Sequence, residues 1–318
     1  MYMNTTQDIA TNADITALYN QYVSFIDASA ATTKAYTGNV RQFIKYLYAH
    51  NIHQPTRETV IAYRDELKAR CSAATVQNYI ESLRIFFAWT EAEHLYPNIA
   101  NRVKGATISK TPKKDYLTAE QAAAVLSSID RDTVQGVRDY AMILVSIIGG
   151  LRVIEIHRAN IEDFDKEGST AVLLIQGKGR DDKGDFVKLP TAAADALKAY
   201  LKTRTELSKG EPLFTSVSHN SAGERLSTRS ISGIIKARLK AAGYDSSRLT
   251  AHSLRHSAVT IALQAGNSIQ EVQAFARHKS ILTTQIYAHN IDRENSKCEE
   301  SIENRIFERR SPSCKPLP

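Results

Sequence analysis

Apolar residues recur at helical spacing through the first hundred positions. In 14–29, DITALYNQYVSFIDAS, the residues Ile15, Tyr19, Tyr22, Val23 and Ile26 fall on one side of a helix. The pattern repeats over 33–50 with Tyr36, Val40, Phe43, Ile44 and Leu47. TRETVIAYRDELKAR and SAATVQNYIESLRIFFAWTEAEH read as two more amphipathic helices. Four helices with short polar links predict a bundle of about 95 residues. NRVKGATISKTPKKDY, 101–116, then breaks the periodicity with Gly105, Pro112 and five lysines or arginines, and reads as an extended basic linker.

Beyond the linker the pattern is mixed. LTAEQAAAVLSSI restarts a helix, with Thr118 and Gln121 as a capping box. VRDYAMILVSIIGG is an apolar helix stopped by two glycines. STAVLLIQ and DFVKLP are β-rich and flank GKGRDDKG, which predicts a hairpin. Helices follow near 191–207, 228–242, 253–266 and 268–276, and a last one over RENSKCEESIENRIFER. The fold class is thus mainly α with a small β-sheet, in two domains.

Composition excludes several classes. The 318 residues hold no run of about eighteen apolar positions, so no membrane-spanning helix is expected. The polar start MYMNTTQDIATNAD carries no basic-then-apolar signal pattern. Cys71, Cys298 and Cys314 are odd in number and far apart, against a disulfide framework or a cysteine zinc site, and a cytoplasmic protein is expected. The net charge of +7 favours an anionic partner, nucleic acid first. The excess is uneven. Residues 1–108 carry 10 Lys and Arg against 9 Asp and Glu, and the rest 31 against 25. Any DNA contact by the first domain therefore rests on a few placed cations. Lys34, Arg41, Lys45 and Arg84 there are candidates, as are Lys236, Arg238 and Lys240 in the second domain. Lysines and arginines position a protein on phosphates or read base edges, and nothing in the sequence separates the two roles.

Four segments of the second half carry chemistry. TAHSLRHSAV places His252, Arg255 and His256 on one turn of a helix, with Leu254, Ala258 and Ile261 on the opposite face for the core. In GGLRVIEIHR, Arg152 opens a helix, where a guanidinium is able to chelate phosphate bidentately. In QGKGRDDKGD, Lys178 sits between glycines at the hairpin tip. ARHKSILTTQIYAHN brings His278 and Tyr287. Taken singly, each is more often a solvated charge, a turn lysine or a half-buried aromatic. Together Arg152, Arg255, His252, His278 and Lys178 around Tyr287 make the inventory for attacking a phosphodiester without a metal. A hydroxyl supplies the nucleophile, arginines hold the non-bridging oxygens, and a lysine or histidine protonates the leaving 5′-oxygen.

At these residues the chain resembles the tyrosine recombinases, the phage-integrase family. GLRVIE, GKG, HSLRH and ARHKSILTTQIY match its signatures, and the resemblance spans roughly 14–300. It implies a SAM-like, core-binding helical bundle (13–108), a linker (109–116) and a catalytic domain (117–290) closing as a clamp on duplex DNA. A short N-terminus (1–12) stands where larger integrases carry an arm-site domain. The resemblance assigns Arg152 and Arg255 to phosphate binding, Lys178 to general acid, His252 and His278 to assistance, and Tyr287 to a 3′-phosphotyrosine bond. Glu155 and His256 match supporting positions. No metal, cofactor or ATP is implied. The implied partners are duplex DNA with inverted-repeat core sites, three further copies of the chain in a tetramer, and in some systems a directionality factor or a second recombinase. A tail, 291–318, passes between subunits, with Ile302, Ile306 and Phe307 as its apolar stripe. Two departures stand out. Many relatives have Thr-Gly where this chain has Gly149-Gly150, and Leu-Gly-His where it has Ala276-Arg277-His278. The expected role is integration or excision of a mobile element. Chromosome-dimer resolution, a type IB topoisomerase and an inert DNA-binding protein are the other readings.

Overall fold

The computed structural model of the chain describes residues 12–107, 115–177, 182–205, 207–294 and 297–308. It divides into two units, Met1–Thr111 and Pro112–Pro318. In the first, α1 (Asn12–Phe25), α2 (Ala30–Ala49), α3 (Arg57–Arg70) and α4 (Ala73–Ala92) are the four helices of the bundle. Two of them begin where a serine satisfies an orphan amide: Thr32 donates to Ser29 Oγ at 3.3 Å, and Thr75 to Ser72 Oγ at 3.2 Å. Their apolar stripes meet in one aromatic-rich core that includes Tyr22, Phe43, Tyr63, Ile80 and Leu83.

The segment after α4 differs from the expected linker, because its first part is fastened to the bundle. Arg57 donates to the carbonyls of Asn101 and Arg102, Arg64 to Lys104 O at 3.1 Å, and Arg84 to Val103 O. Val103 itself is buried. Guanidiniums thus pair carbonyls that no helix or strand takes up. Residues 108–114 lie outside the described residues.

In the second unit, α5 (Ala119–Ser127) starts at the expected capping box, with Thr118 N donating to Gln121 Oε1 and Gln121 N to Thr118 Oγ1. α6 (Val134–Ile148) runs through the core and buries Ala141, Met142, Ile143 and Val145 completely. The short α7 (Val153–Arg158) follows. Then β1 (Phe164–Glu167), β2 (Thr170–Ile175) and β3 (Asp185–Leu189) form an antiparallel sheet in that order, with buried Leu173 opposite buried Val187. Only the β2–β3 hairpin is readable in the sequence. β1, FDKE, has one apolar residue and no alternation to detect, and it forms by pairing with β2. α8 (Thr191–Leu201) packs on α6. α9 (Thr228–Ala241) is tied to α6 by buried Asp139, which accepts from Arg138 Nε at 2.9 Å and Arg238 Nε at 2.8 Å.

α10 (Ala251–Gln264), α11 (Ile269–Ala276), α12 (Ile281–Glu294) and α13 (Cys298–Glu308) complete the unit. α12 is absent from the predicted elements. Its apolar positions are sparse, and Leu282 and Ile286 are exposed. The last helix begins at Cys298 rather than near Arg293, and Ile302, Ile306 and Phe307 all face solvent. Among the described residues no helix is long and apolar enough to cross a membrane.

Candidate active site

The site is built at three chain reversals. At the first, α6 stops at Gly149 and the chain turns through Gly150 at φ +54°. A Cβ on Gly150 would lie 3.0 Å from the Phe275 ring, so the position demands glycine both for its backbone and for its space. Arg152 then precedes α7, and its amide donates to Glu155 Oε2 at 2.8 Å. Its guanidinium pairs with Glu155 Oε1 at 2.8 Å and reaches the Arg277 carbonyl at 3.3 Å. The Glu155 carboxylate is fully buried, whereas the Arg152 side chain keeps 27% of its surface open.

The second reversal starts α10, where Thr250 N donates to Ser253 Oγ at 3.0 Å. Arg255 is 3% exposed and donates to the carbonyls of Gly150 and Ala276. The expectation of a cationic face opposite an apolar one is therefore only part of the truth. Leu254 and Ala258 are buried, and Arg255 is buried with them, against backbone carbonyls. His252 is exposed and His256 half-buried, their rings 4.6 Å apart edge to face.

The third reversal follows α11. Arg277 closes the helix in the left-handed region, φ 53° and ψ 45°. His278 comes next and is held through its Nδ1, 2.9 Å from the hydroxyl of fully buried Thr284 on α12. α12 also carries Tyr287, whose hydroxyl lies against His256 Nδ1. The Tyr287 ring stacks 6.2 Å from that of His278. The same chain's Arg152, Arg255, His252, His256, His278 and Tyr287 thus converge.

Electrostatics follow from this crowding. Burial first, then the charges of Arg152 and Arg277, lower the Arg255 guanidinium to about 10. Burial and the cations Arg255, Arg152 and Arg277 push His278 down to about 4, so it is neutral at pH 7. Burial raises Tyr287 to about 12 against the pull of Arg255, so its resting hydroxyl is protonated where it meets His256 Nδ1. Burial also pushes Glu155 up, but the charge of Arg277 and the donors of Arg152 outweigh it and hold the carboxyl below its ordinary value. Three guanidiniums around one carboxylate leave the pocket positive and short of anions, which suits a phosphate diester.

Lys178 lies outside the described residues; the preceding Gly177 is fixed by Arg158, which donates to its carbonyl at 3.0 Å. Of the candidate DNA contacts, Lys34, Arg41 and Lys45 are exposed on α2, with Arg41 over the Tyr19 ring at 5.4 Å. Arg84 is engaged with Glu81 and Val103 O, and Lys236 with Ser246 O and Asp245. Arg238 pairs with Asp139, and Lys240 with Asp245. Two features escape sequence reasoning. One is the direct contact of His256 with the Tyr287 hydroxyl, which is visible only once α12 is folded back on α10. The other is the destination of the Arg277 side chain. The missing glycine is visible in the sequence, but the groups its replacement would meet are not.

The chain matches known protein families over both units. Residues 115–294 match the phage integrase family, and residues 17–96 match the phage integrase N-terminal SAM-like domain. The chain is 31% identical over 276 residues to tyrosine recombinase XerD of Listeria monocytogenes, covering 82% of this chain and 88% of that protein. Its fold is similar to that of the XerH site-specific recombinase bound to difH substrate, with TM-score 0.68, 22% identity, and coverage of 90% and 84%. It is also similar to the Tn1549 transposon integrase in complex with circular intermediate DNA, with TM-score 0.66, 18% identity, and coverage of 86% and 94%. A helical SAM-like unit, a catalytic unit with its arginines and tyrosine in one pocket, and a family match over more than half the length place this chain in the phage integrase family, among the tyrosine recombinases.

Proposed function

We propose that this chain cuts and rejoins duplex DNA at specific sites, with Tyr287 as the nucleophile. The observation that carries the reading is the Tyr287 hydroxyl, set against His256 in the pocket that holds Arg152 and Arg255. The scissile phosphate docks on the two guanidiniums. Tyr287 passes its proton to His256 Nδ1 as its oxygen bonds phosphorus. The P–O5′ bond breaks, and the departing 5′-oxygen takes a proton from Lys178, the acid that the family resemblance assigns. The arginines balance the charge of the pentavalent state, while His252 and the neutral His278 serve as hydrogen-bonding groups. The 3′-phosphotyrosine conserves the bond energy. A 5′-hydroxyl of the partner strand then attacks it and releases Tyr287.

Four copies on two inverted-repeat sites perform the exchange in the cytoplasm. The bundle 13–108 and the domain 117–290 grip the DNA, with Lys34, Arg41 and Lys45 as DNA contacts. Segment 291–318 docks on a neighbouring copy, which would cover the exposed Ile302, Ile306 and Phe307. The biological role is integration or excision of a mobile element. The likeness to XerD over 88% of that protein's length favours a second role, resolution of chromosome dimers. An assay on paired sites in one plasmid and in two separate plasmids distinguishes excision-type from integration-type exchange.

The decisive test is trapping on a nicked suicide duplex. Wild type yields a protease-sensitive covalent adduct, and Tyr287→Phe yields none while still retarding DNA. An adduct that survives Tyr287→Phe would assign the nucleophile elsewhere.

A further inference from the structure

Arg277 occupies a backbone conformation that disfavours any side chain, φ 53° and ψ 45°, at the end of α11. The side chain it carries there is almost wholly buried, 10% exposed. Its guanidinium donates to four acceptors. Nη1 reaches Phe275 O at 2.7 Å and Gly149 O at 3.2 Å. Nη2 reaches Glu155 Oε2 at 3.0 Å and Gly150 O at 3.1 Å. Nε is buried with no hydrogen-bond partner among the described residues. A strained backbone and an unpaired buried N–H both oppose this arrangement, so the four contacts must outweigh them.

Two of those acceptors, Glu155 and Gly150 O, also hold the two phosphate-binding arginines. Glu155 accepts the amide and the guanidinium of Arg152, and Gly150 O accepts from Arg255. The backbone carbonyl of Arg277 accepts from Arg152 as well. Arg277 therefore braces the Gly149–Gly150 turn and Glu155 from behind. Both Nη atoms of Arg277 spend both of their hydrogens on protein acceptors, whereas each Nη of Arg255 spends one, so Arg255 keeps donors for a phosphate and Arg277 does not. We propose that Arg277 is a positioning residue, which orients Arg152 and Arg255 through Glu155 and the Gly149–Gly150 turn. The inference rests on the reading of this pocket as the strand-cleavage site. The two departures from the family pattern, at 149 and at 277, thereby become partners in one contact.

Arg277→Gly is the informative change, because glycine accepts φ 53° without strain while removing the fork. The variant should stay folded, with a cooperative melt, and bind a duplex site with unchanged affinity. Its single-turnover rate of adduct formation on the nicked suicide duplex should fall about ten- to hundredfold, the scale of a misplaced reacting group. Glu155→Gln should fall by a similar factor. The double variant should fall no further than the slower single one, since the two act through one relay. Multiplied losses, or native cleavage by folded Arg277→Gly, would overturn the inference. Should that variant misfold, Arg277→Lys decides: it keeps a cation but not the fork, so slowed cleavage supports the inference and native cleavage overturns it. A wild-type chain that forms no adduct would sink the active-site reading, and this inference with it. Normal wild-type cleavage beside an equally fast Arg277→Gly would sink only the inference.

Discussion

Replacing Glu155 with glutamine keeps the shape of the side chain and removes its charge. The carboxylate is completely buried and serves two cations, Arg152 at 2.8 Å and Arg277 at 3.0 Å. Arg152 is partly open and is able to turn toward water. Arg277, 10% exposed, is not. Neutralising Glu155 therefore strands one buried guanidinium beside two others. Removing one partner of a buried ion pair costs about 3–5 kcal/mol. For a unit of roughly 200 residues, each kcal/mol moves the melting temperature by about 2–4 °C, so the expected loss is about 6–20 °C. Calorimetry on wild type and Glu155→Gln at pH 7 measures it. The pH dependence provides a second check. Glu155 titrates below its ordinary value in the folded chain. Its stabilisation is complete above the unfolded carboxylate pKa and fades as pH falls through the folded value. The glutamine variant lacks that component, so the gap between the two proteins should narrow in acid. A melting temperature within about 2 °C of wild type, or a gap that widens in acid, would refute the assignment of Glu155 as the counter-ion of the site.

Two further outcomes follow. His278 should titrate near pH 4 in the free protein when followed by NMR of its ring, and move upward when a duplex bearing the scissile phosphate binds, because the anion offsets Arg152 and Arg255; a free-protein value near the ordinary 6.5 would contradict the cationic pocket. Deleting 296–318 should spare the binding of one copy to a half-site but weaken assembly and recombination, as read by gel shift and strand exchange; unchanged recombination would dismiss the tail as a docking element.

The four bundle helices are legible in the sequence because each covers several turns and buries one stripe. Val40, Phe43, Ile44 and Leu47 repeat at helical spacing and are all buried. The capping box at Thr118 and the stop at Gly149 are local chemistry, and are readable for the same reason. β1 and α12 are not legible. Four residues, FDKE, contain no period, and α12 has only scattered apolar positions, so pairing with β2 and packing on α10 and α11 decide them. The start of the linker escapes as well, since its carbonyls are fixed by arginines more than fifteen residues away in the chain.

For the site, the chain by itself determined the inventory: Arg152, Glu155, His252, Arg255, His278 and Tyr287 stand in motifs whose residue types suit a phosphodiester. Only the tertiary structure decided what each group faces. It laid Tyr287 on His256, turned Arg255 inward onto the Gly150 carbonyl, and sent Arg277 beneath Glu155 rather than out toward a ligand. The reason is physical. Which residues are present is a property of the order of the chain, but hydrogen-bond partners and pKa values depend on distances between segments more than a hundred residues apart, and those distances exist only after the three chain reversals have packed together.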